Sequence, residues 1–229
     1  MANVEGMPST VASHKRSYKQ FVVLMVATAV LSAAIIGLLN YPWLMAQSRY
    51  HFSHHTKKVA VLGASTTTPT AADAPAPKPD PSAPAEVIIP AINVKAPIVF
   101  EPTRVEWKVQ VALRSGVVHY ADTALPGQAD GNVVIFGHSS GQLWAPGNYK
   151  WIFTLLDKLQ PGDQIQINYQ GIPYIYEVTD KQIVAPTDLD ILTQTKDPTL
   201  TLVTCTPVGS STNRLLVHAK PLQAAPERH

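Results

Sequence analysis

The 229-residue chain is nearly without cysteine: Cys205 is its only one. A single thiol excludes an internal disulfide framework and any metal site built on several thiolates. Charge is also scarce, at 15 % of residues with a net +2. Nucleic-acid binding calls for Lys and Arg clustered among aromatics, so this composition gives it no support. Glycine, with 12 residues, is outnumbered by 20 prolines, which favours turns and an extended linker over flexible glycine loops.

Hydrophobic residues make up 45 % of the chain, and they are unevenly spread. The polar opening, residues 1–20, carries Lys15, Arg16 and Lys19 just before FVVLMVATAVLSAAIIGLL, a charge-free run from Phe21 to Leu39. As a helix at ~1.5 Å per residue it spans about 29 Å, close to the hydrocarbon thickness of a bilayer. The apolar region of a cleaved signal peptide is usually only about 7–15 residues. Tyr41, Pro42 and Trp43 prolong the run with aromatics suited to a membrane interface. An uncleaved transmembrane anchor over residues 21–45 is therefore expected, with residues 1–20 as a cytoplasmic tail. Arg49, Lys57 and Lys58 follow on the other side, but the amino-terminal cluster abuts the span. That position favours an inside amino terminus with the bulk of the chain outside.

Residues 46–86 read as a juxtamembrane segment and an Ala/Pro/Thr-rich linker, with too little apolar bulk to offset ordering entropy. At ~3.1 Å per residue in polyproline form, VAVLGASTTTPTAADAPAPKPDPSAPAE could hold a domain up to ~85 Å from the bilayer. The cluster HFSHH, with His51, His54 and His55, has no Cys or carboxylate partner nearby and reads as solvated chain. No metal or cofactor is expected.

From Val87 to Leu222 the pattern changes to short β-type runs, leaving residues 223–229 as a tail. The candidates are VIIPAINV, APIVF, WKVQVAL, NVVIFGH, QIQINYQ, IPYIYEVTDKQIV, LTLVTC and RLLVHAK, punctuated by Leu-Pro-Gly, Asp-Gly-Asn, Pro-Gly-Asp and Gln-Gly. Alternating runs on either side of Gln170-Gly171 predict a hairpin. WIFTLLDKL, from Trp151 to Leu159, has helical spacing, and LDILTQ has it more weakly. One closed β-barrel with one or two short helices fits better than a parallel sheet, which needs repeated crossover helices.

Cys205 ends the run TLTLVTC, where Pro207, Val208 and Gly209 turn the chain out. Free cysteines most often pack as small hydrophobes. A lone thiol at a strand end beside a loop also has the placement of a nucleophile, which needs a partner that favours thiolate. His14, His51, His54, His55 and His229 lie in tails or linker, leaving His119, His138 and His218. His138 emerges from NVVIF into GHSSG, a strand end like that of Cys205, and is the first choice among the three. Arg214 stands at the start of RLLVHA. Arginine there is ordinarily a solvated strand end, yet two side-by-side strands would bring it to the end that holds Cys205. A guanidinium so placed can hold a carbonyl or developing oxyanion.

TLVTC followed by Arg214, with Gly137-His138 upstream, resembles the sortase family of membrane-anchored cysteine transpeptidases. The likeness runs from Val87 to Leu222: VIIPAINVKAPIV resembles the family's opening strand, GVVHYADTALPGQADGNVVIFGH its central block, and LLDKLQPGDQI its helix-turn-strand. The resemblance implies an eight-stranded barrel outside the membrane, acting on secreted proteins that carry an LPxTG-like sorting signal. It implies that Cys205 attacks the Thr–Gly carbonyl to form an acyl-enzyme, and that His138 protonates the leaving amine and then deprotonates the incoming one. Arg214 would steady the oxyanion, with the Thr206 N–H as a second donor and Thr204 against the sorting peptide. The acceptor amine would come from a peptidoglycan precursor or a pilin lysine.

The loop TCTPVGSSTNR is similar to that of the pilin-polymerising class C branch. The nearest lid-like dipeptide, however, is Asp80-Pro81, with Ser82 and no aromatic after it, and no second span follows KPLQAAPERH. Both departures favour protein anchoring or a housekeeping role. Other exported cysteine enzymes fit less well. An L,D-transpeptidase carries SHGC with an arginine two residues on, and a papain-like hydrolase has its cysteine before its histidine. A tethered, non-enzymatic binding domain leaves Cys205, His138 and Arg214 unexplained as a group.

Overall fold

The computed structural model describes residues 11–39, 41, 45, 48, 78–141, 145–188 and 190–222. Most of the expected linker, the HFSHH cluster, Pro42, Trp43 and the tail 223–229 lie outside the described residues. The chain divides into two compact units, Met1–Leu44 and Met45–His229.

The first unit contains α1 (Val11–Leu39). It starts ahead of Phe21 and takes in the basic residues Lys15, Arg16 and Lys19. Within it, Tyr18–Leu38 is a stretch of 21 residues with exposed side chains, long and apolar enough to cross a membrane.

The second unit is a closed barrel of eight strands in the order β1-β2-β3-β4-β7-β8-β6-β5. The strands are β1 (Glu86–Ile89), β2 (Val94–Phe100), β3 (Val117–His119), β4 (Asn132–Phe136), β5 (Gln164–Tyr169), β6 (Ile172–Val184), β7 (Thr199–Thr206) and β8 (Asn213–Pro221). Pairing is antiparallel except between β2 and β3 and between β4 and β7. Alternate side chains fill the interior, among them Val87, Ile89, Ile135, Leu200, Leu202 and Val217. On the outer side, Val134, Val203, Leu216 and Val184 form a second apolar layer, covered by Ile191 and Leu192. β4 and β7 are thus buried on both faces, which is why they read as unbroken apolar runs.

Three local expectations are corrected. WKVQVAL is not a strand but α2 (Glu106–Ala112). Its period-two apolar pattern also contains an i, i+4 pair, Val109 and Leu113, and these are the residues that pack inward, while Trp107 is 65 % and Val111 45 % exposed. The strand that takes its place is β3, VVH, too short for its alternation to register in the sequence. VIIPAINV divides at Pro90, where a single 3-10 turn ends in the left-handed Asn93 before β2 begins. WIFTLLDKL forms turns and a 3-10 segment at Leu156–Lys158, and LDILTQ a 3-10 segment at Asp190–Leu192. The Gln-Gly hairpin is present, with positive φ at Gln170 (52°) and Gly171 (74°) as a two-residue primed turn requires.

Strand directions give the barrel two distinct ends. β4 and β7 run toward the end that holds Cys205, and β8 starts there at Asn213. The β5–β6 turn, Phe100 and His119 lie at the other end, where Phe100 packs against both His119 and Tyr169. Asp80 is there too, its N–H donated to the Gln170 carbonyl at 2.9 Å.

Candidate active site

The β7–β8 ladder pairs Cys205 directly with Arg214. Opposed residues of such a ladder have Cα atoms about 4.5–5.5 Å apart. On the other side of β7, Phe136 pairs with Val203 in the parallel register. The contact continues past the end of β4: Gly137 N–H donates to the Val203 carbonyl at 3.0 Å, and Thr204 Oγ1 donates to the Gly137 carbonyl at 2.7 Å. Counting on in that register sets His138 beside Cys205, one strand spacing of ~4.8 Å away. Val134, Phe136, Val203 and Leu216 mark the outer face, and alternation carries His138, Cys205 and Arg214 to that same face. Extended by two residues, this register sets His138, just past the end of β4, in one row with Cys205 on β7 and Arg214 on β8.

His138 is held by its backbone. Its carbonyl accepts the Phe153 N–H at 2.9 Å. Phe153, only 1 % exposed, lays its ring so close to Gly137 that a Cβ there would stand 2.4 Å from Cδ2. Only glycine fits ahead of this histidine. Burial pushes the His138 imidazole below its ordinary 6.5. Cys205 is a free, half-buried thiol. Arg214 Nη1 donates to the carbonyls of Ser211 and Asn213 at 3.1 and 3.2 Å. Among the described residues Arg214 makes no ion pair, which leaves the rest of its fork for a ligand.

The two residues expected against the substrate differ. Thr204 is 3 % exposed and faces inward, the opposite side of β7 from Cys205, with its hydroxyl donated to Gly137. Thr206, half-buried, pairs with Asn213 at the mouth of the β7–β8 loop. The other two histidines are structural. His119 Nε2 lies 2.8 Å from the Ala124 carbonyl at the far end of the barrel, with burial pushing it below 6.5. His218 Nδ1 meets Thr201 Oγ1 at 3.1 Å, well down the strand from Arg214. Asp80-Pro81 lies at the end opposite Cys205 and does not cover the row.

Two features went unnoticed in the sequence. Ser140 Oγ accepts the Gly209 N–H at 3.0 Å, tying the loop after His138 to the loop after Cys205. Beside His138 there is also an open cavity of about 290 Å3, walled by Gln110, Arg114, Ser140, Pro146 and Lys150. Its walls come from segments far apart in sequence, so no local motif announced it.

Residues 87–222 match the sortase domain family. A curated relative, sortase D of Bacillus subtilis (strain 168), is 31 % identical over 136 residues, 58 % of this chain and 60 % of the relative. The chain thus matches about three-fifths of that relative's length. Among solved structures, Streptococcus agalactiae sortase C1 in complex with MTSET superposes with a TM-score of 0.51 at 31 % identity, over 63 % of this chain and 69 % of that one. The Clostridium perfringens sortase D5 transpeptidase gives 0.50 at 31 % identity, over 61 % and 79 %.

Proposed function

The chain belongs to the sortase family, and on that footing we propose that it is a cysteine transpeptidase acting through His138, Cys205 and Arg214. The observation that supports this reading is the strand register: Cys205 pairs with Arg214 across β7 and β8, and His138 follows β4, whose parallel pairing with β7 runs on toward Cys205. In the first half-reaction the Cys205 thiolate attacks the carbonyl carbon of the scissile peptide. A C–S bond forms, the C–N bond breaks, and protonated His138 gives its proton to the leaving amine. Arg214 and a backbone N–H of the Thr206 region face the oxygen on which charge develops. In the second half-reaction an acceptor amine attacks the thioester, His138 takes the amine proton, and the C–S bond breaks to release thiolate. The pair returns as thiolate and imidazolium, with the same proton count as thiol and neutral imidazole.

The donor substrate is a secreted protein with an LPxTG-like sorting signal, and the acceptor is an amine of a cell-wall precursor or of another surface protein. α1 anchors the enzyme with its amino terminus inside and the barrel outside, on a linker that ends before Asp80, where the chain joins the barrel. Thr204 acts as a positioning residue, through Gly137 on His138.

The test is incubation with an LPxTG peptide and an amine, following both the thioester and the product. Cys205→Ala should give no thioester, since no other thiol exists in the chain. Arg214→Lys keeps the charge and loses the planar fork, and should cost on the order of 10²–10³-fold in rate, the scale of one oxyanion donor. Full activity of the lysine variant would remove Arg214 from the site.

A further inference from the structure

The cavity beside His138 has a charge bias that the peptide-cleaving half of the reaction does not explain. Arg114 and Lys150 line it together with Gln110 and Ser140, and no Asp or Glu is among its described lining residues. The nearest acid on α2, Glu106, has its carboxylate bonded by Gln110 Nε2 at 2.8 Å. Among the described residues Arg114 makes no ion pair, and its side chain is exposed. A bare primary amine, cationic until it reacts, gains nothing from two cations. A carboxylate does.

The cavity's place in the row says which substrate meets it. Arg214 lies on the β8 side of Cys205, whereas His138 and the cavity lie on the β4 side. The acyl carbonyl, held by Arg214, occupies one side of the thiol. The amine that must give its proton to His138 arrives from the other.

Resting on the transpeptidase reading, we propose that this cavity is the acceptor subsite, and that the acceptor is an amine bearing a carboxylate within a few bonds of the reacting nitrogen. Arg114 and Lys150 hold the carboxylate while the amine nitrogen reaches the Cys205 thioester. There the C–N bond forms, the C–S bond breaks, and the amine proton passes to His138. Peptide amines without a nearby carboxylate, such as a lysine side chain within a folded protein, are the poorer acceptors.

Two measurements on the full chain test this. In the first, the acyl-enzyme formed with an LPxTG peptide is offered glycine, diglycine or their amides, with rates expressed per neutral amine. The acids should react roughly tenfold faster than the amides, the scale of a partly solvated charge-assisted hydrogen bond. Arg114→Glu should reverse that ratio within the same variant. Equal rates for acid and amide, or a ratio that survives Arg114→Glu, overturn the proposal and leave the transpeptidase reading standing.

The second measurement needs no turnover: the His138 imidazole is titrated by NMR in Cys205→Ala with N-acetylglycine or N-acetylglycinamide present, ligands that carry no ammonium. N-acetylglycine should raise the His138 pKa by placing an anion in the cavity beside it, N-acetylglycinamide should not, and Arg114→Glu should abolish the difference. No shift with N-acetylglycine overturns the proposal. A shift with N-acetylglycine, where the wild-type chain forms no acyl-enzyme with the LPxTG peptide, supports the anion-binding cavity and rejects the transpeptidase reading instead.

Discussion

The backbone at His138 rests on two neighbours, Gly137 and Thr204. A Cβ at 137 would enter the buried Phe153 ring, which has no room to withdraw. Gly137→Ala should therefore cost about 1–3 kcal/mol of stability, as overpacking does. Thr204 is the cleaner probe, because valine keeps its shape while removing the hydroxyl. Thr204→Val leaves the Gly137 carbonyl without its 2.7 Å partner in a buried setting, a loss of about 1–3 kcal/mol. Both stability and acyl-transfer rate should fall in Thr204→Val and recover in Thr204→Ser. Denaturant titration and the LPxTG assay, run side by side, would check this. A valine variant that is destabilised but turns over normally would make Thr204 a purely structural residue.

The elements show what a sequence discloses and what it conceals. β4, β7 and β8 were legible as long apolar runs, and with them the strand ends that carry His138, Cys205 and Arg214. WKVQVAL was misread because Val109 and Leu113 satisfy a strand's period and a helix's i, i+4 spacing alike, and only tertiary packing decides between them. β3 escaped notice because three residues, Val117–His119, are too few to show a period. The two misreadings offset each other, so the expected number of strands agreed with the barrel for a partly wrong reason. Thr204, expected against the sorting peptide from the resemblance alone, is turned inward by strand alternation and bonds the Gly137 carbonyl. The helical assignment has a direct check. Leu113→Ala, at a buried position, should cost about 2–5 kcal/mol, whereas Trp107→Ala, largely exposed, should stay within about 0.5 kcal/mol. Comparable losses from thermal denaturation would mean that both faces of this segment are packed.

At the scale of the molecule, two imidazoles, His119 buried and His138 half-buried, tie the barrel's stability to acidity. His119 and His138 both have pKa values lowered by burial from 6.5. Below that value the unfolded chain binds protons that the native barrel resists. Their contribution is therefore complete above 6.5 and is lost as pH falls toward the depressed native values. The melting temperature should be level near neutrality and decline once the pH drops below 6.5, with a shallower decline in His119→Gln. An unchanged slope in that variant would assign the acid sensitivity elsewhere. The parallel pairing of β4 with β7 has a consequence of another kind, in the order of assembly. Cys205 and Arg214 meet across a local hairpin whose closure entropy is small, but His138 joins them only after the intervening β5 and β6 have been looped out. Thiol and guanidinium can meet early in folding, while the imidazole arrives with the non-local contacts that close the barrel. A nascent chain thus carries Cys205 beside Arg214 but without His138 until its topology is complete.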